Sequence, residues 1–471
     1  MMRMLVLLGL MGRVALAQAD AFYQPDFPPD EFRARWNLVF DKIGTGAAAI
    51  VQGVPLTNGF SMPRQSNEFY YLTGIETPHS YLLLDGRNRK STLYLPPRNA
   101  RLERSEGKTL SFEDAARVKQ LTGADEVAST DAMRGDWLTQ LPRIIYTLLS
   151  PAEGNTQSRH ELENANAAIA SDYWDGRLPR EAVFANLLSA RNPRAKVVDL
   201  TPVLDQMRSV KSEREIALIR RASEIAGHAI LEAMKSTKPG AYEYQLDAAA
   251  RYVFLVNGAR LEGYRSIAAS GTQNIWNAHY YRNNRRMDGG DMVLFDYAPE
   301  YRYYTSDITR MWPVDGKFSP MQRELLQFVL EYRNAVMKLL RPGVTPAAIL
   351  GEARTAMEPV LARAKFSKPV YEAAARKLVE TGGGVLSHPV GLTVHDDGPY
   401  GPGPLRPGHV FSIDPQLWVP EENLYFRYED VVAITADGYV NFTAFLPVEL
   451  DELEKVVRQG GGVVQKVPPK P

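Results

Sequence analysis

Four carboxylates and one imidazole, Asp296, Asp307, His388, Asp414 and Glu429, stand at or inside apolar stretches of the C-terminal half of the chain. Asp296 closes the run Val293-Leu294-Phe295, where an ionised carboxylate is costly to bury without a compensating charge. Asp307 follows in Thr305-Ser306-Asp307-Ile308-Thr309-Arg310, far enough along for a turn and a return strand, so a hairpin would bring the two acids together. Facing carboxylates repel, and one is protonated unless a divalent cation neutralises both. For this pair alone, the simpler alternative is an ion pair of one aspartate with Arg310 and solvation of the other.

Four further positions weigh against that alternative. His388 and His395 lie in Ser387-His388-Pro389-Val390-Gly391-Leu392-Thr393-Val394-His395. A lone histidine is more often structural, but two separated by small and apolar residues read as a ligand and a substrate-facing partner. Phe411-Ser412-Ile413-Asp414 and Phe426-Arg427-Tyr428-Glu429 each set an acid at or within an apolar strand. One imidazole with four carboxylates is a hard, oxygen-rich set suited to Mn²⁺ and compatible with Co²⁺, Zn²⁺ or Fe²⁺. Four carboxylates carry about −4, which two divalent ions balance and one does not. The chain has no cysteine, which removes thiolate ligands, disulfides and cysteine nucleophiles together. No Gly-x-Ser-x-Gly elbow supports a serine hydrolase.

These residues need strands to carry them and helices to cover the strands. A capping box, Ser212 to Glu215, opens a helix whose apolar face runs through Ile216, Ile219, Ala222, Ala226 and Ile230 to a stop at Lys238-Pro239-Gly240. A second helix is expected from Glu243 to about Asn257, and others over Pro320 to Leu340 and Pro346 to Ala364. Between them, Met292 to Phe295, Val410 to Ile413 and Val431 to Ile434 read as strands. The N-terminal part mixes β-rich runs, such as Tyr81-Leu82-Leu83-Leu84 and Thr92-Leu93-Tyr94-Leu95, with polar-faced helices. The fold class is therefore α/β (α+β). At 471 residues the chain exceeds one ordinary core, and the expected division is 18–205, 206–456 and a flexible Gly- and Pro-rich tail, 457–471.

Residues 1–17 have the basic start, the apolar run Leu5 to Met11 and the small residues Ala15 and Ala17 of an export signal, so a periplasmic or secreted protein is expected. No later segment approaches the roughly 20 apolar residues of a membrane span. Lysine plus arginine equals aspartate plus glutamate at 55 each, so no overall field draws in nucleic acid.

The five motifs together resemble the Xaa-Pro aminopeptidase and prolidase family of dinuclear metallopeptidases. Ser66-Asn67-Glu68-Phe69-Tyr70-Tyr71-Leu72-Thr73-Gly74 resembles its creatinase-like non-catalytic N-terminal domain, and Met207 to Ile216 the junction to its catalytic, pita-bread domain. Methionine aminopeptidases share the metal site but lack such an N-terminal domain; creatinase-like relatives have both domains but lack the ligands. The resemblance implies two metal ions held by Asp296, Asp307, His388, the acid at 414 and Glu429. It also implies that His279 faces the scissile bond, that His395 contacts the substrate carbonyl or the tetrahedral intermediate, and that Arg427 orients the ligand network. The family's fourth ligand is a glutamate followed by proline and glycine, and it also serves as the acid/base; here the chain has Asp414-Pro415-Gln416. Aspartate is a competent ligand, but its shorter reach puts proton transfer in question.

The implied activity is hydrolysis, by a metal-bridging hydroxide, of the bond between an N-terminal residue and a following proline in proline-containing peptides. The alternatives are an Xaa-Pro dipeptidase and a catalytically impaired peptide-binding protein, the latter suggested by Asp414 and Gln416. Dimers or tetramers are common in the family. Tyr264, Tyr280 and Tyr281 are aromatic candidates for a proline pocket, with plain core or surface packing the simpler reading of each.

Overall fold

The computed structural model describes residues 22–56, 60–398 and 403–466. The export segment 1–17 lies outside these. The first domain is built on a six-stranded mixed sheet: β1 (Ala47–Gln52), β2 (Tyr81–Asp85), β3 (Lys90–Leu95), β4 (Glu126–Ser129), β5 (Ile144–Thr147) and β6 (Lys196–Asp199), in the order β4-β3-β2-β1-β5-β6. Its central strands are buried on both faces. Ala47, Ala49 and Val51 join one apolar cluster while Ala48 and Ile50 join another, as the two-residue repeat of a strand requires.

The second domain carries two antiparallel sheets. In the first, β8 (Ile267–Ser270), β9 (Met292–Asp296) and β11 (Thr309–Pro313) lie in the order β11-β9-β8, and the short β7 (Leu261–Glu262) pairs separately with β10 (Pro299–Glu300). In the second, β12 (Leu386–Pro389), β13 (Val410–Ile413), β16 (Asp430–Ile434) and β17 (Tyr439–Asn441) run in that order. The hairpin β14 (Gln416–Val419) with β15 (Leu424–Arg427) completes the strands. Helices Glu213–Ser236, Glu243–Val256, Pro320–Met337, Pro346–Arg363 and Pro369–Thr381 share one large apolar core with these sheets.

The expected capping box at Ser212 is formed in both directions. Glu215 Oε2 accepts from the Ser212 backbone at 2.9 Å and Ser212 Oγ from the Glu215 backbone at 3.3 Å. The helix Pro369–Thr381 was not anticipated, although Pro369 at its first turn and Gly382 in left-handed conformation at its end are ordinary start and stop signals. Of the flexible tail expected over 457–471, residues 467–471 lie outside the described residues. Residues 457–459 finish the helix Leu450–Gln459, Gly462 is buried, and the Val463 N–H donates to Glu232 Oε1.

A buried ionic network joins the domains. Arg208 meets Glu153 at 2.6 Å and also Asp396, whose second oxygen takes Lys211 Nζ at 2.8 Å. Arg159 reaches Asp205 at 2.6 Å and Glu68 at 3.3 Å. Breaking one member of such a network strands a buried charge, a loss of roughly 3–5 kcal/mol, so it holds the domains in one arrangement. Position 205, where the sequence suggested a boundary, lies inside the helix Thr201–Arg208 that carries this network.

Candidate metal centre and active site

Sheet register brings the carboxylates together. Asp296 ends β9 directly opposite Thr309, the first residue of β11. Asp307 stands just before that strand rather than in it, because the chain between the two acids makes an excursion through β10 and a turn with Arg302 and Tyr303 at positive φ. In the second sheet Ile413 pairs with Asp430 in antiparallel register, so Asp414 and Glu429, each one residue beyond its strand, lie at the same end of the pair. The Glu429 N–H donates to the Thr309 carbonyl at 3.1 Å, tying the two sheets together at the site. All four carboxylates are buried.

Ligand-capable atoms of Asp296, Asp307 and Glu429 lie within 4.8 Å of one another, as do those of Asp307, His388 and His395. Asp307 is common to both groups. The Nδ1 proton of His388 goes to the Pro389 carbonyl at 3.0 Å, which turns the Nε2 lone pair toward Asp307 Oδ2 at 3.3 Å. Ser412 Oγ lies 3.4 Å from the same nitrogen, and the close approach of Nε2 to the carboxylate calls for a proton or a cation between them. Asp414 belongs to neither group.

Arg427 fills the middle of the cluster. Its Nη1 donates to Asp296 Oδ2 at 2.6 Å, its Nε to Asp414 Oδ1 at 2.6 Å and its Nη2 to Glu429 Oε2 at 2.7 Å. Tyr264 donates to the other oxygen of Asp296 at 2.6 Å, Gln416 Nε2 to the other oxygen of Asp414 at 2.6 Å, and Thr309 Oγ1 to Glu429 Oε2 at 2.9 Å. Asp307 Oδ1 and Glu429 Oε1 are buried without any protein donor. Burial first, and then the neighbouring acids, push Asp307 and Glu429 well above the ordinary carboxylate range despite the opposing Arg427. Asp414 is raised mainly by burial.

One guanidinium is too little charge for four buried carboxylates. Orphaned oxygens, surplus negative charge and a hard donor set make the residues fit divalent cations. The Arg310 alternative is not realised: that arginine pairs with Asp430 at 2.6 Å, and Arg333 holds the second oxygen of the same acid.

Two adjoining cavities, of about 250 and 430 Å³, open onto the cluster. His279, His395 and Arg427 line both. Burial, followed by the nearby His388, His160, His279 and Arg427, lowers the His395 pKa far below its usual value, so the ring is neutral. The His395 backbone N–H donates to Ser158 Oγ at 3.3 Å, and its ring lies 5.2 Å from that of His160. Thr156, His160 and Glu161 thus bring the first domain to the cavity walls. Sequence reasoning missed these residues, which lie at the capping box, Ser158 with Glu161, that opens the helix Arg159–Ser171. Gln416 and Tyr425, on the β14-β15 hairpin, were likewise missed as cavity-lining residues. Of the three tyrosines, only Tyr264 turns to the acids; Tyr280 is buried against Glu243 and Tyr281 is exposed.

A two-domain α/β chain with a buried carboxylate–histidine cluster, at a cavity both domains line, defines a metal-dependent hydrolase. Comparison with known proteins narrows this class. The family model described as "Metallopeptidase family M24" matches residues 217–436, and "Aminopeptidase P, N-terminal domain" matches residues 32–145. The Xaa-Pro aminopeptidase of Escherichia coli (strain K12) is 32% identical, covering 91% of this chain and 97% of its own length. Zn-substituted E. coli aminopeptidase P in complex with product has a TM-score of 0.73 at 28% identity, over 92% of this chain and 99% of that one. Proline aminopeptidase P II of Yersinia pestis gives 0.73 at 28%, over 92% and 100%. The chain belongs to the M24 metallopeptidases with an aminopeptidase P N-terminal domain, the Xaa-Pro aminopeptidase family, and has its pita-bread fold.

Proposed function

We propose that this protein is a manganese-dependent Xaa-Pro aminopeptidase, exported by way of residues 1–17, that releases the N-terminal residue from peptides with proline in second position. The observation that carries the metal-dependent reading is the pair of orphaned oxygens, Asp307 Oδ1 and Glu429 Oε1, beside the His388 lone pair on a cavity wall. Asp296, Asp307, His388, Asp414 and Glu429 would hold two divalent ions, with Mn²⁺ preferred on ligand hardness. When bound, such ions supply Lewis acidity and a water ionised near neutral pH.

The chain's own groups do the remaining work. His395, neutral at the cavity wall, presents an imidazole to the substrate carbonyl, and His279 lines the same space. Arg427 fixes three of the acids, and Asp414 exchanges the proton with the attacking water and the leaving imino nitrogen of proline. A bond to proline lacks the N–H that ordinary peptidases grip, which favours a dedicated site. Assembly as a dimer or tetramer is part of the same reading.

The test is metal analysis of the purified protein together with assays of Xaa-Pro-Yaa peptides and Xaa-Pro dipeptides in Mn²⁺. Bound metal and release of Xaa from the longer peptides are expected. Cleavage of dipeptides alone would make the protein a prolidase, and no turnover of either would leave a peptide-binding protein.

A further inference from the structure

Gln416 and Arg427 are cross-strand partners in the β14-β15 hairpin, and both donate to the carboxylate of Asp414, one to each oxygen, at 2.6 Å. We infer that Gln416 is a positioning residue for Asp414, and that the two form one unit in which the glutamine amide occupies the place a longer acid would need. The inference rests on the reading above, in which Asp414 serves the reaction.

The argument is one of space and anchoring. A further methylene would extend the acid by about 1.5 Å, a C–C bond length, and its oxygens already sit at hydrogen-bond distance from donors on both sides. Arg427 cannot yield, because Asp296 and Glu429 hold it as well. Gln416 is the partner that must move. Yet its backbone N–H is fixed to the Gly383 carbonyl at 2.9 Å, and the Asp414 N–H to the Val385 carbonyl at 3.1 Å. Above the amide lies Gly384, at φ +80°, where an added Cβ would stand 3.4 Å from Gln416 Nε2 and 3.5 Å from the Asp414 carbonyl oxygen. The glycine's distances are ordinary van der Waals contact, so it is the two backbone anchors and the two donors that fit the amide and the short acid to each other. Gln416 fixes the rotamer of a carboxylate whose oxygens each retain a second lone pair for other work.

A double-mutant cycle on the full chain tests this, using Asp414→Glu, Gln416→Gly and the double variant, with Gln416→Met as a variant of similar length that has no donor. Each protein is assayed for kcat and KM on an Xaa-Pro-Yaa tripeptide in Mn²⁺. Independently of turnover, Mn²⁺ binding is measured by titration calorimetry, and folding by melting temperature.

Each single substitution is expected to lower kcat roughly tenfold with little change in KM and to weaken Mn²⁺ binding, and the double variant to recover to within about threefold of wild type, as contacting residues couple. Gln416→Met should behave as Gln416→Gly, which separates the lost hydrogen bond from a loosened strand. Unchanged Gln416 variants, or a double variant whose loss is the product of the two singles, would overturn the inference. A wild-type protein that neither binds Mn²⁺ nor cleaves any peptide would instead overturn the functional reading, and the inference with it.

Discussion

The hydroxyl of Tyr264 donates to Asp296 Oδ1 across 2.6 Å, on the side of the carboxylate away from Arg427. The half-buried tyrosine is kept protonated by desolvation and by Asp296, so it acts only as a donor. A hydrogen bond to a buried charge contributes about 1.5–3 kcal/mol. Tyr264→Phe is expected to weaken Mn²⁺ binding about tenfold or more while the fold persists. Calorimetric titration checks this, and unchanged affinity would show that Asp296 is held well enough by Arg427 alone.

Arg427 touches three of the four acids. Removing it leaves those carboxylates without their cation, a cost of roughly 3–5 kcal/mol for a buried network. Arg427→Ala should therefore melt well below wild type in EDTA and regain part of the loss in Mn²⁺. Arg427→Lys should rescue little, since an ammonium cannot reproduce a three-way planar fork. The comparison is of melting temperatures with and without metal.

Divalent cations that bind only the native state stabilise it by about 2.7 kcal/mol when present at a hundred times Kd. Manganese is expected to raise the melting temperature of the wild-type protein in proportion to the logarithm of its concentration. The double substitution Asp307→Asn with Glu429→Gln, which removes charge at both orphaned oxygens, should abolish the dependence. A metal-induced rise that survives in that variant would place the cation elsewhere.

In the interdomain network Asp397 faces Glu153, and Arg159 approaches both, at 3.4 Å from Asp397 Oδ2 and 3.9 Å from Glu153 Oε1. Burial first, and then Glu153, push the Asp397 carboxyl up to about 8, so it shares a proton with its neighbour. The unfolded chain releases that proton near pH 4. Between those values the native state holds a proton the unfolded state lacks, so this group makes stability fall as pH rises from about 4 to about 8. Denaturant unfolding across that range should show the slope, and Asp397→Asn should flatten it. An unaltered slope in the variant would assign the proton to another group.

The candidate acids were legible in the sequence because carboxylates at strand ends are conspicuous against apolar runs, and the structure buries them together. Asp296, Asp414 and Glu429 were found in this way, and His388 and His395 by their spacing. The sequence also sufficed for the helix opening at Ser212, where the cap is a local hydrogen-bond exchange. What it did not contain is the distribution of those acids among partners.

The Asp307–Arg310 alternative was chemically reasonable, and only the packing that sends Arg310 to Asp430 decides against it. The contributions of Thr156, Ser158, His160 and Glu161 depend on one domain folding against the other, and no local pattern encodes that. The same holds for Gln416, which in the sequence is only a departure from a family motif. Strand register sets it opposite Arg427 and turns the departure into a second donor for Asp414. Residue type and short spacing settle which groups can do chemistry, since propensity and burial cost act locally. Which acid meets which base, and from which side, is set by contacts between residues far apart in the chain, and only the tertiary structure decides it.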